Sequence, residues 1–166
     1  MRSAHFDTSA LVKLLVREAG SDLARAAWQA AVVLIASTLL KVEACAALAA
    51  AHRQGRLTSD GLSTAKRELA TRLWPQLTII EVDDLLLDQA ADLAEQGALR
   101  AYDAVHLAAA LAAGGDVLVA ADRELVRAAE SQGLEPLSVC PGPRVVGGGT
   151  FSAASMAVTS SINYGG

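Results

Sequence analysis

Aromatic residues are scarce, at 4% of the 166-residue chain, which argues against an open platform for stacking the bases of a single-stranded nucleic acid. No apolar run reaches the roughly 18 residues needed to span a bilayer. The nearest, residues 26–40, is interrupted by Gln29, Ser37 and Thr38. The first residues run directly into an apolar strand and Asp7, which is not the pattern of a signal peptide. The expectation is a cytoplasmic protein with no membrane partner. The only cysteines, Cys45 and Cys140, make no metal-ligand spacing with histidine. Cys45 lies in an Ala-rich segment and reads as a small core residue, so a reducing compartment without a disulfide is expected. No lysine follows Lys66. The net charge is −4, which by itself speaks against nucleic acid as a partner.

Hydrophobic residues make up 52% of the chain and charged ones 19%. That is the composition of a globular protein long enough for one domain with a substantial core. Short β-branched or apolar runs alternate with helix-forming segments. Strands are expected at residues 4–6, 32–36, 77–82, 117–120 and 134–139. Helices are expected at about 9–17, 21–30, 38–52, 58–73, 83–96, 101–113 and 123–131. Caps are expected from Thr8 or Ser9, Ser37 or Thr38, Thr58 or Ser59, and Asp83 or Asp84, and stops from Gly97, Gly114 and Gly133. Alternation of this kind implies an α/β fold, a central parallel sheet of about five strands flanked by helices. The character of the chain changes at Pro141. Residues 141–166 hold six glycines, two prolines and a single charge, Arg144, so the expected organisation is one domain at 1–140 and a Gly/Ser-rich flexible tail at 141–166.

The segment Arg100-Ala101-Tyr102-Asp103-Ala104-Val105-His106-Leu107-Ala108-Ala109-Ala110 is apolar and helix-forming, yet it carries Asp103 at its start. One reading is an acid favoured by the positive end of its own helix dipole; the other is a ligand aimed into a cleft. In parallel α/β sheets, ligands bind outside the carboxyl ends of the strands. Asp7 follows the first strand and Asp122 the fourth. Asp103 starts the helix that returns to the sheet before the fourth strand. Glu43 sits early in the helix after the second. All four are expected near one edge, where Asp7 could also be only a strand-end cap, Asp122 a plain helix cap and Glu43 a solvated side chain. Four ionised carboxylates together require cations between them, and an all-oxygen donor set selects Mg²⁺ or Mn²⁺ over Zn²⁺. Setting these four aside leaves 14 acidic against 14 basic residues, a balanced surface. His106, three residues after Asp103, is expected to be buried and hydrogen-bonded rather than a ligand.

The stretches HFDTSALVKLLVRE, LLKVEACAAL, LRAYDAVHLAAAL and DVLVAADREL resemble, in order and spacing over residues 3–139, the PIN-domain family and in particular the toxin ribonucleases of the VapC type. The resemblance implies a Mg²⁺- or Mn²⁺-dependent endoribonuclease acting on RNA, a homodimer, and a cognate antitoxin that holds it inactive. It carries the acidic ligands onto Asp7, Glu43, Asp103 and Asp122, and the polar helper after the first acid onto Thr8 or Ser9. One departure stands out. Ala120 occupies a position that is Thr or Ser in many relatives, which leaves open how well Asp122 is oriented. Helices near residues 10–16 and 44–51 are apolar enough to form a symmetric interface.

Other readings of the residues remain. A phosphatase with a paired-aspartate motif would need a second acid where Ser9 stands. A phosphoacceptor domain would need a late lysine. A non-catalytic binding module that kept the fold and lost efficient metal chemistry rests on Ala120.

Overall fold

The computed structural model describes residues 2–140; the tail expected at 141–166 lies outside the described residues. The chain runs β1 (Ser3–Phe6), α1 (Thr8–Leu15), α2 (Ser21–Ala30), β2 (Val33–Ser37), α3 (Leu39–Arg53), α4 (Ser59–Glu68), β3 (Leu77–Ile80), α5 (Asp84–Gly97), α6 (Ala101–Ala112), β4 (Val117–Ala120), α7 (Arg123–Ser131) and β5 (Glu135–Ser138). The five strands form one parallel sheet in the order β3-β2-β1-β4-β5. The chain winds outward one way from β1 to β3, then returns to the other side of β1 for β4 and β5. That reversal opens a crevice beyond the carboxyl ends of β1 and β4, the usual ligand position in such sheets.

Strand periodicity divides the core. Ala4, Phe6, Leu34, Ala36, Val117 and Val119 face α1 and α2 in one cluster. Leu118 and Ala120 point to the opposite face, against α5, α6 and α7. His5 lies between Ala4 and Phe6, so it points to the α6 side. A third cluster joins Val12 and Val16 to Leu48 and Ala65. Part of the apolar surface of α1 and α3 is therefore buried inside the chain, while Val42 on α3 stays exposed. On the helices near 10–16 and 44–51, whose apolar residues could serve core or interface, Leu11, Leu14, Ala44, Leu48 and Ala51 are core.

Several local expectations also change. Neither Thr8 nor Ser9 caps α1; the cap is Asp7, which accepts from the Ser9 N–H. Ser37 closes β2 and Thr38 makes no cap bond; its hydroxyl accepts from the Val82 N–H at 3.3 Å. The helix expected to reach residue 73 stays α only to Glu68, then widens into a π turn (Leu69–Leu73) and a 3-10 turn (Trp74–Gln76). Pro75 lacks an N–H and would crowd the carbonyl four residues back, so the regular ladder opens before it. Gly97 does not stop α5 by its own backbone. The left-handed residue is Ala98, at φ 50°. A Cβ on Gly97 would lie 3.3 Å from Leu99 Cγ, so glycine there makes room for a buried leucine. Thr58 and Asp83 cap α4 and α5 as expected. Both cysteines are free thiols, and Cys45 packs against the first cluster. No helix among the described residues is long and apolar enough to cross a membrane.

Candidate functional site

The crevice at the reversal point is a cleft of about 560 Å³, lined by Asp7, Glu43, Asp103 and Asp122 together with Thr8, Ser9, Lys13, Glu18, Arg56, Arg100 and Tyr102 among others. All four acids expected from the sequence reach it. Each arrives by a different local device.

Asp7 leaves β1 and caps α1. Its Oδ2 accepts from the Ser9 N–H and the Ser9 hydroxyl. The same Ser9 Oγ accepts from the Ala121 N–H at 2.8 Å. One hydroxyl thus fastens Asp7 to the backbone that leads into Asp122. Asp122 caps α7, accepting from the Glu124 and Leu125 N–H groups through Oδ1. Cap and cleft residue turn out to be compatible, because one carboxylate oxygen suffices for the cap. This also resolves the Ala120 departure. Ala120 is fully buried in the α6-side core, while Asp122 is held by α7 and the preceding turn by Ser9.

Asp103 does not cap its helix. Arg100 occupies the cap position with no side-chain bond, and Asp103 lies in the first turn, buried. Burial first, then the charges of Asp7 and Asp122, push its carboxyl up to about 6; Arg100 and His106 pull the other way. The part due to Asp7 and Asp122 reflects their convergence on Asp103, since like charges raise one another's pKa only at short range.

Glu43, half-buried one turn into α3, is gripped rather than solvated. The Thr8 hydroxyl donates to its Oε2 at 2.7 Å, and His106 Nε2 lies 2.7 Å from the same oxygen. Burial raises its pKa, but these two bonds and the His106 charge outweigh it and hold the group below its ordinary value. The two helper positions therefore divide the work: Thr8 serves Glu43 and Ser9 serves Asp7.

His106 was expected to be buried and bonded, and it is, but its reach was not legible. Its Nε2 faces Glu43 and stands 3.6 Å from Asp7 Oδ1. On the other side, Nδ1 is 3.4 Å from both Ser37 Oγ and His5 Nε2. Burial disfavours the charged ring, yet the Glu43 bond and the charges of Asp7, Glu43 and Asp103 prevail and raise its pKa. His5, wholly buried against His106, is held well below its ordinary value by desolvation and by that neighbour. A charged ring needs Nε2–H toward Glu43, and a neutral one in the favourable tautomer keeps that donor too.

Three cationic side chains also line the cleft. Lys13 Nζ donates to Glu18 and to the Ala19 carbonyl, both at 2.9 Å, and Arg56 donates to Glu18 at 3.1 Å. Arg100 is exposed at the mouth. A hydrogen bond with Tyr102, then the charges of Tyr102, Asp103 and Asp122, raise its pKa further.

The family model described as PIN domain matches residues 5–131. The chain belongs to the PIN domain family. It is 42% identical over 135 residues, 80% of this chain and 93% of the relative, to proteins of two Mycobacterium tuberculosis strains named ribonuclease VapC45 and ribonuclease VapC49. Solved structures share the PIN fold. VapC20 of M. tuberculosis, described as a sarcin–ricin loop cleaving toxin, aligns at a TM-score of 0.60 with 22% identity over 75% of this chain and 94% of that one. A toxin–antitoxin complex from Klebsiella pneumoniae aligns at 0.53 with 19% identity over 72% and 86%.

A divalent cation is implied by this PIN domain's resemblance, and the donor set fits one. The converging groups are carboxylate oxygens, which suit a hard cation, and the repulsion lodged in Asp103 is what a bound positive charge relieves. Among the described residues no three His, Cys, Asp or Glu side chains close to metal-binding distance.

Proposed function

We propose that this PIN domain is the toxin of a toxin–antitoxin pair, a Mg²⁺- or Mn²⁺-dependent endoribonuclease. The observation that carries the reading is the convergence of Asp7, Glu43, Asp103 and Asp122 in one cleft of a chain 42% identical to a ribonuclease. Asp7, Asp103 and Asp122 are the group whose mutual repulsion favours a cation, with Glu43 as the fourth oxygen source. A divalent ion in such a site supplies positive charge that eases deprotonation of the attacking water and steadies the leaving oxygen of a phosphodiester.

The chain's own residues prepare that chemistry. Ser9 fixes the Asp7 rotamer and couples it to the Asp122 turn. Thr8 and His106 keep Glu43 ionised and pointed inward. Asp103, held near pKa 6 without a cation, gives up its proton readily when positive charge enters. The acidic cleft also gives an antitoxin an obvious target, an Arg or Lys side chain inserted among the carboxylates. A homodimer is part of the same reading.

The experiment is cleavage of total RNA by the purified protein with Mn²⁺, with EDTA, and with Asp103→Asn in parallel. Discrete fragments that require metal and vanish in the variant are expected. Cleavage that persists in EDTA or in Asp103→Asn would overturn the reading.

A further inference from the structure

The mouth of the cleft carries two side chains that the metal chemistry does not use. Tyr102 directly precedes Asp103 in the first turn of α6, and both line the cleft. Successive helix positions diverge by about 100°, so Asp103 turns inward while Tyr102 stands on the rim, 45% exposed. Exposure is unusual for an aromatic here. Phe6 is fully buried, and Trp28 and Trp74 pack against the core. Among the described residues Tyr102 is the only exposed aromatic, and it stands beside the carboxylates.

Arg100 has a matching peculiarity. Of the three cations lining the cleft, Lys13 and Arg56 are both paired with Glu18. Arg100 takes part in none of the ion pairs among the described residues, yet it lines the same cleft as Asp103 and Asp122 and lies within reach of their charges. Its one side-chain hydrogen bond is to Tyr102, so among the cleft cations it alone has no acid partner to displace before meeting an incoming anion, in a protein whose net charge of −4 offers nucleic acid little general attraction.

We propose that Arg100 and Tyr102 form a nucleotide subsite at the mouth of the cleft, where Tyr102 stacks on the base next to the scissile phosphate and Arg100 contacts a flanking phosphate of a single-stranded RNA segment. The proposal rests on the ribonuclease reading and sharpens it. Only an unpaired base offers its face to a side chain, because bases within a duplex are stacked on one another. A single ring with a single cation selects strand form and register without reading a sequence. The low aromatic content rules out an extended platform but leaves room for one anchor.

The test is fluorescence anisotropy of a short single-stranded RNA of randomised sequence binding to the full chain in Mg²⁺, across a salt series. Wild type, Tyr102→Ala, Tyr102→Phe and Arg100→Gln are compared. Both residues are surface-exposed, and thermal melts confirm that the variants fold. Tyr102→Ala should weaken binding by about 5- to 150-fold, the loss of one stacked base, while Tyr102→Phe restores it. Arg100→Gln should reduce the slope of log affinity against log salt by about 0.7, one single-strand phosphate contact. Wild-type affinity in Tyr102→Ala with an unchanged slope in Arg100→Gln would overturn the subsite while leaving the ribonuclease reading intact. A change in oligomeric state by light scattering in Tyr102→Ala, with RNA affinity unchanged, would assign the ring to a protein contact and also overturn it. No RNA binding by wild type would remove both proposals.

Discussion

His106 Nε2 lies 2.7 Å from Glu43 Oε2, and the same nitrogen is 3.6 Å from Asp7 Oδ1. A fully buried ring on α6 thus joins acids from β1 and α3. Its other face meets β1 and β2 through His5 and Ser37. Replacing it with leucine leaves a half-buried carboxylate without its main donor. His106→Leu is expected to lose about 2 kcal/mol in urea unfolding, with a fall in Mn²⁺ affinity by calorimetry. His106→Gln, which can place a side-chain N–H near the Nε2 position, should recover part of both. Equal losses in the two variants would mean that the ring acts only by filling space.

Metal-free stability should peak in mildly acidic solution. Asp103, raised from 3.8 to about 6 in the fold, binds its proton more tightly than the unfolded chain does. Its contribution is complete below pH 3.8 and is lost as pH rises through about 6. His106, raised above 6.5, contributes fully below 6.5, and that contribution disappears as pH climbs through its folded value. Glu43, held below 4.5, works in the opposite sense: its contribution is present above 4.5 and lost as pH falls through its folded value. Above pH 4.5 Glu43 adds nothing further while Asp103 and then His106 only lose, so the three together place the maximum close to or just below about pH 4.5, with a decline from there through about 6. Chemical denaturation in EDTA across pH checks it; a stability that keeps rising to pH 8 would contradict the burial and repulsion assigned to Asp103.

Asp103→Asn removes that repulsion. In EDTA at pH 8 the variant should be more stable than wild type by on the order of 2 kcal/mol, and at pH 3 it should show no gain. Cleavage should be lost in the same protein. Lower stability at both pH values would show that the carboxylate forms a favourable contact instead.

Divalent cations should reverse the order. With Mg²⁺ or Mn²⁺ at about 100 times its dissociation constant, wild type should gain about 2.7 kcal/mol. Asp7→Asn and Asp103→Asn should gain far less. The increment for wild type should shrink at pH 5, where protons compete for Asp103. Thermal melts with and without EDTA measure it.

Two glycines separate backbone conformation from steric contact. Gly20, at φ +91°, would place a Cβ 1.9 Å from the Val139 carbonyl oxygen, whereas Gly55, at φ +73°, has open space around it. Gly55→Ala should cost about 1 kcal/mol, the penalty of left-handed backbone alone. Gly20→Ala should cost at least about 3 kcal/mol, because α2 and the segment after β5 must move apart. Similar costs for the two would show that the Gly20–Val139 approach yields easily.

Local chemistry was legible wherever it depended on near neighbours. Strand and helix types followed from periodicity, and Thr58 and Asp83 cap where cap preference says they should. Errors arose where a side chain chose a distant partner over a local one. Ser9 could have capped α1, but its hydroxyl bridges Asp7 and Ala121. Thr38 could have capped α3, but it reaches Val82 across the sheet edge. Whether the apolar residues of α1 and α3 serve core or interface was open because a sequence does not say which two helices meet; Leu11, Leu14, Ala44 and Leu48 are core.

The sequence by itself determined the α/β alternation, and the resemblance in its motifs gave the identities of the four acids, because element type depends on local spacing and motifs are local. Tertiary structure alone decided how those acids are held. The β3-β2-β1-β4-β5 order brings residues 7 and 122 to one crevice. It puts Glu43 against a histidine 63 positions away, and leaves Tyr102 and an arginine without an acid partner at its mouth. Hydrogen bonds and repulsion act over a few ångströms of space, and only the folded chain sets those distances.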